Sequence, residues 1–289
     1  MKHSHIAIKI LFSLSLILNS SFASSASLTD NLTNIEKRIF GRIGVSILNT
    51  QTKEIWSFNG NERFPMMSTF KTLACAKLLY DSDNKLVDKL SEFHITNDQI
   101  IAWSPVTKEL VGQDISLEKA CEATMLMSDN TAANIVLENT GGPKALTDFL
   151  RGINDSSTRL DRFEPKLNQA SPGDFRDTTT PNAMVNTLNK LLQGNTISDS
   201  SKTQLMAWMQ NNKVSDPLLR SILPSNWHIA DRSGAGNNGS RGITAIIWNK
   251  THKPLIVSIY LTQTELSMNE RNAVIVEIGK AIFQKYAVS

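Results

Sequence analysis

The chain has 289 residues, and Lys2 and Lys9 are the only Lys or Arg among its first 26, which hold no acid, so the remainder carries 28 bases against 27 acids. A balanced charge without a clustered basic run weighs against nucleic acid as a partner. The roughly 263 residues after position 26 suffice for one large domain or two lobes sharing a cleft.

Residues 1–26 read as an export signal. Lys2 and Lys9 supply the positive start, "ILFSLSLILN" the apolar run, and Ser21-Phe22-Ala23 or Ser24-Ser25-Ala26 the small residues of a cleavage site. The run is too short to span a bilayer, and no cysteine stands nearby to take a lipid. The expectation is a product exported to the periplasm, soluble and without a membrane anchor. Cys75 and Cys121 are the only cysteines. In an oxidising compartment they favour a disulfide, with two buried thiols on helices as the alternative.

A short helix, "LTDNLTNIEKRIF", comes first, followed by a hairpin of "RIGVSILNT" and "KEIWSFNG" about Gln51-Thr52. From Phe64 to about Asn212 the apolar spacing is helical, in "TLACAKLLY", "SLEKACEATMLM", "TAANIVLENTG", "PKALTDFLRGI" and "PNAMVNTLNKLLQG". "NDSSTRLDRFEPKLNQASPGDFRDTTTP" interrupts this run and is too long and polar to be a passive connection. Three strands, "WHIADRSG", "GITAIIWN" and "PLIVSIYLTQ", precede a closing amphipathic helix over about 268–286. Residues 27–63 and 213–289 should therefore build an antiparallel sheet covered by terminal helices, and 64–212 an all-helical lobe, an α/β (α+β) chain with its site in the cleft between.

His94, His228 and His252 are too scattered for a zinc site, and no Gly-x-Ser-x-Gly occurs. Gly234, Gly236 and Gly239 spell a dinucleotide fingerprint but lead into a strand, where that chemistry needs a helix. Neither metal nor organic cofactor is expected. Ser-x-x-Lys occurs three times. Ser82 with Lys85 lies in a polar break and reads as a cap or turn, while Ser116 with Lys119 reads as a helix N-cap. Ser68 begins a helix that is nearly all apolar beyond Lys71, so burial should disfavour the charged lysine and leave an amine able to take a proton from the hydroxyl, with a capping serine and a lysine reaching solvent as the alternative for the motif taken alone. Ser128-Asp129-Asn130 stands between two helical runs in an apolar setting. The same letters at Ser82-Asp83-Asn84 do not, although a helix cap remains an adequate reading of either copy. Arg232-Ser233-Gly234 ends a strand, with Arg241 on the next, and suits a carboxylate, although an exposed hairpin with charged edges is an adequate reading of it alone.

Taken in order, Ser68-x-x-Lys71, Ser128-Asp129-Asn130, "RFEPKLNQ" and Arg232-Ser233-Gly234 resemble the class A serine β-lactamases, over nearly the whole chain beyond the signal. The resemblance implies the fold shared with D,D-peptidases, a five-stranded antiparallel sheet beside a helical lobe, and hydrolysis of a β-lactam by a monomer through an acyl ester on Ser68. It assigns proton transfer to Lys71, Ser128 and Glu164. The oxyanion falls to the backbone N–H groups of Ser68 and Ala235, and substrate contacts to Asn130, Trp103, Ser233, Gly234 and Arg241. Glu164 and Asn168, four apart, would aim at one hydrolytic water, in a 159–177 loop closed by Arg162 and Asp177. Trp103 is otherwise a helix-edge core residue. Arg232 replaces the usual lysine, as in the carbenicillin-hydrolysing branch, and could grip a carboxylate with two hydrogen bonds. Met67 and Gly236 are not cysteines, so the additional disulfide of class A carbapenemases cannot form. A penicillin-binding sensor and a D,D-peptidase are the rival readings, and Glu164 argues against both because a lasting acyl-enzyme needs no base poised for water.

Overall fold

A computed structural model describes residues 20–288, with side chains from Leu28 onward; the charged start and apolar run of the export signal lie outside the described residues. Helix α1 spans Ser20–Ile39, and so begins earlier than its sequence pattern suggests. Strands β1 (Arg42–Asn49), β2 (Ile55–Phe58), β3 (His228–Ala235), β4 (Arg241–Trp248) and β5 (Leu255–Thr262) form one antiparallel sheet in the order β2-β1-β5-β4-β3.

Both faces of the sheet are covered along β1, β4 and β5, which is why these strands are mostly apolar, while the edge strand β2 alternates with solvent. Ile43, Val45 and Ile47 of β1, with Ile243, Ala245 and Ile247 of β4, pack on one face with Leu32, Ile35 and Ile39 of α1. Val274, Ile275, Ile278 and Ile282 of the closing helix α8 (Met268–Lys285) join them. Ser267 and Glu270 start α8 with a reciprocal capping box. Leu48, Ala230, Ile246 and Ile256 point the other way, into the helical core. One strand thus serves two cores because its side chains alternate.

The central helix of the second core is α2 (Phe70–Asp83), buried on every side from Phe70 to Leu79. Around it stand α3 (Leu117–Met127), α4 (Asn130–Asn139), α5 (Gly142–Gly152), α6 (Pro181–Leu192) and α7 (Asp199–Gln210). A bond joins Cys75 of α2 to Cys121 of α3 across 5.7 Å between Cα atoms, so the expected disulfide is present.

Three details differ from the sequence reading. Residues 64–212 are not all helix: Phe64–Pro65 pairs with Thr178–Thr179, and Glu92–His94 with Asp114–Ser116, ribbons of two and three residues that leave no periodic trace. Helix α7 is additional, its apolar residues bunched at Leu205, Trp208 and Met209 near the end where a stripe is hard to see. Ser82 occupies the last turn of α2 and is no break, while Asp83 accepts hydrogen bonds from Ser198 and Ser201 at the start of α7. Ser116 is the N-cap of α3, as expected.

Candidate active site

Ser68 sits in a 3-10 turn, Met67–Thr69, that feeds α2, and Met67 holds a left-handed φ of 49°. A non-glycine residue there is uncommon and marks a turn held by its surroundings. The edge of β3 is one of those surroundings. A Cβ on Gly234 would stand 2.6 Å from the Ser68 nitrogen and 2.8 Å from Met67 Cβ. Only glycine lets the strand lie this close to the serine.

Lys71, one turn into α2, is fully buried. Its ammonium donates to Ser128 O at 2.8 Å, Ser128 Oγ at 3.1 Å and Asn130 Oδ1 at 2.6 Å, which uses all three protons. Glu164 Oε1, 3.3 Å away, is a charge contact without a hydrogen bond. Burial pushes the lysine down to about 8 against the opposing pull of Glu164. Ser128 Oγ donates to Ser68 Oγ at 3.2 Å, so the hydrogen-bond path from lysine to serine runs through Ser128.

The Ser128-Asp129-Asn130 triplet is both cap and site. Ser128, in the left-handed region, ends α3, and Asp129 caps α4 through the Ala132 N–H while also receiving Val106 N, Thr107 N and the Thr107 hydroxyl. Ser128 and Asn130 are thereby fixed on either side of a rigid carboxylate, and Asn130 Nδ2 donates to Ala102 O.

Glu164 is buried, and its peptide bond to Pro165 is cis. Its main chain is clamped by Asn134, which accepts from Glu164 N at 3.0 Å and donates to Glu164 O at 2.9 Å. The sequence reading missed Asn134, although it lies four residues after Asn130 on the same face of α4. Asn168 meets Glu164 directly, Nδ2 to Oε2 at 2.5 Å. Glu164 Oε1 and Asn168 Oδ1 are buried without hydrogen-bond partners. The loop is closed as expected, Arg162 Nε lying 2.5 Å from Asp177 Oδ2, while Asp177 Oδ1 takes the N–H groups of Asp161 and Arg162.

Arg232 is fully buried and spends Nε on Ser68 O at 3.2 Å and Nη1 on Met125 O at 3.3 Å, leaving only Nη2 unpartnered. The two-bond grip expected from sequence is therefore corrected to one available nitrogen, because the guanidinium braces the serine turn from beneath. Arg241 donates Nη1 to Gly234 O and Nε to Asn272 of α8, a partner the sequence did not suggest. Burial lowers both guanidinium groups to about 10. Trp103 is 63% exposed, so it is no core residue; its Nε1 donates to Met127 O.

Ser68, Ser128, Asn130, Asn168, Trp103, Arg232, Ser233, Gly234, Ala235 and Arg241 line one cleft of about 490 Å³ between sheet and helices. A second cavity of about 410 Å³, beside Val106, Leu110 and Leu126, contains none of them. A sequence profile of the Beta-lactamase enzyme family matches residues 27–286. The chain belongs to this family.

This β-lactamase is 52% identical over 283 residues to Beta-lactamase CARB-4 of Pseudomonas aeruginosa, covering 96% of this chain and 98% of the relative. It is 53% identical over 282 residues to Beta-lactamase PSE-4 of the same species, with the same shares covered. Among solved structures, the chromosome-encoded β-lactamase of Vibrio parahaemolyticus superposes with a TM-score of 0.89 at 57% identity, over 91% of this chain and all of that one. The ancestral class A β-lactamase of Gram-negative bacteria gives 0.87 at 44%, over 89% and 99%. The enzyme is a hydrolase of β-lactams, and neither the sensor nor the D,D-peptidase reading is favoured.

Proposed function

We propose that the enzyme opens the four-membered ring of penicillins and carboxypenicillins through an acyl ester on Ser68, acting as a monomer in the periplasm and conferring resistance. The observation that carries this is the series Glu164, Lys71, Ser128, Ser68, a buried ion contact followed by two hydrogen bonds, which ends at the cleft in Ser128 and Ser68. The positive start and apolar run of residues 1–26 support export.

In acylation, Ser68 Oγ bonds to the ring carbonyl carbon and its proton leaves to a base. Lys71, once it has given up a proton, has a lone pair to receive it by way of Ser128, and Glu164 is the other acceptor, through a water. The Ser68 and Ala235 N–H groups face the oxyanion. Ser128 then hands a proton to the departing ring nitrogen as the carbon–nitrogen bond breaks. In deacylation, Glu164 Oε1, which lacks a hydrogen-bond partner in the protein, takes the proton of a water whose oxygen attacks the ester, and Ser68 recovers its proton as it leaves.

Arg232 and Arg241 favour anionic substrates, the thiazolidine carboxylate lying against Ser233 and Arg241. Asn130 binds the side-chain amide, and Trp103 walls the cleft mouth. Gly236 packs against Met67 and Asn168, where an added Cβ would stand 2.9 Å from Asn168 O; glycine here, and not the serine common in extended-spectrum variants, is the ground for expecting weak action on bulky oxyimino-cephalosporins. The test is benzylpenicillin in large excess. The parent should turn over many equivalents, and Glu164→Ala should open about one equivalent of ring, hold it as the Ser68 ester, and stop. Unchanged turnover in that variant would remove Glu164 from deacylation, and a single-equivalent burst from the parent would revive the sensor or peptidase reading.

A further inference from the structure

Behind the cleft wall lies a run of buried polar groups that the reaction as described leaves unused. Asp231 of β3 is fully buried and held by Arg220, with Nε 3.0 Å from Oδ2 and Nη2 3.2 Å from Oδ1. The Asn212 amide nitrogen donates to Asp231 Oδ1 at 2.7 Å and to Ser215 Oγ at 2.6 Å. Ser215 Oγ donates to Ser233 Oγ at 2.9 Å. Asn212 and Ser215 are 2% and 0% exposed, and of this series only Ser233 lines the cleft.

The order of these groups sets the direction of every proton. A carboxylate only accepts and an amide nitrogen only donates. The Asn212 amide is held the right way round because its oxygen accepts Val214 N at 3.0 Å and faces Arg232 Nη1 at 3.5 Å. Ser215, accepting from Asn212, has one proton left and gives it to Ser233. Ser233 must then send its own proton elsewhere. Within the protein its acceptor is Val214 O at 3.4 Å, near the limit of a hydrogen bond. An anion in the cleft offers a better one.

We infer that Ser215, oriented by the Arg220–Asp231–Asn212 series, is a positioning residue that keeps Ser233 a hydrogen-bond donor toward the substrate carboxylate. This rests on the placement of that carboxylate proposed above. Without Ser215, the Ser233 hydroxyl is free to turn and offer lone pairs to the anion, so binding weakens while the reacting atoms at Ser68 are untouched. An uncharged ester gains less from the same donor, because hydrogen bonds to ionised acceptors are about twice as strong.

The experiment measures kcat and KM for benzylpenicillin and its methyl ester with the parent, Ser215→Ala and Ser215→Thr. Ser215→Ala should raise KM for the acid about fivefold, leaving kcat and the ester's kcat/KM within about twofold, and Ser215→Thr, which keeps the hydroxyl, should restore the acid. Equal losses on acid and ester, or an acid KM that does not move, would overturn the inference. If Ser215→Ala does not fold, Ser215→Thr against Ser215→Val makes the same comparison at constant shape. A parent that fails to hydrolyse benzylpenicillin at all would refute the activity and not the role of Ser215.

Discussion

Asn134→Ala isolates the clamp on the loop that carries Glu164. Asn134 touches no position assigned to the substrate, yet its side chain makes two hydrogen bonds to the main chain of Glu164, at 3.0 and 2.9 Å. Ordinary hydrogen bonds contribute about 1 kcal/mol each, so losing both costs about 2 kcal/mol. In a chain of this size that lowers Tm by about 4 to 8 °C. The kinetic effect should be larger than the thermal one and should fall on one step. Displacing a catalytic group by about 1 Å slows its step on the order of 100-fold, and Glu164 is the only group proposed to activate the deacylating water. Stopped-flow hydrolysis of benzylpenicillin should therefore show a burst approaching one equivalent followed by a slow steady state, with the ester visible by mass spectrometry of the intact protein. Wild-type deacylation in a variant that has lost those degrees of stability would show that the loop is placed without Asn134. Equal losses in both steps would move its influence to Ser68 by way of Asn130.

Gly234→Ala forces a Cβ to within 2.6 Å of the Ser68 nitrogen, so kcat/KM should fall by ~100-fold or more as the serine turn is pushed off its position; retention of activity would mean that the strand edge can retreat. Lys71 lies at about 8 in the folded chain against an ordinary 10.5, so between those values the unfolded chain keeps a proton that the folded one has released. Stability from this group is flat below about 8 and rises with pH toward 10.5, and the Tm difference between the parent and Lys71→Met should shift in the parent's favour across that window; parallel curves would contradict the lowered value. The Cys75–Cys121 bond spans 46 residues, so Cys75→Ser with Cys121→Ser should cost up to about 4 kcal/mol of stability by the loop-entropy model. Activity at low temperature should survive, because neither sulfur reaches the cleft; loss of activity in a folded double variant would argue otherwise.

Much of the architecture was legible because hydrophobic periodicity survives in long elements. The β1–β2 hairpin, the three late strands, five of the helices in the middle of the chain and the closing helix follow from it. The two short ribbons and α7 did not, since two or three residues cannot show a period and a stripe confined to the end of α7 resembles a loop edge. Within the site, the motifs named Ser68, Lys71, Ser128 and Glu164 by their order along the chain. Asn134, Ser215 and Asn272 carried no such mark, because an amide or hydroxyl gains its role only from the partner it faces.

The sequence by itself determined which chemical groups the enzyme owns and their order: a serine before a buried lysine, a Ser-Asp-Asn triplet between two helices, a carboxylate in a long loop, and a glycine at a strand edge. Neighbouring residues ranked the three copies of Ser-x-x-Lys and the two of Ser-Asp-Asn, and the order of the companion motifs along the chain chose among them. Only tertiary structure decided how those groups are wired. Lys71 and Ser68 communicate through Ser128, sixty positions from the serine, and Arg232 turns inward to brace the Ser68 carbonyl instead of spreading both nitrogens into the cleft. The reason is that a hydrogen bond depends on distance and direction between groups far apart in the chain, and neither quantity is written in the order of the residues.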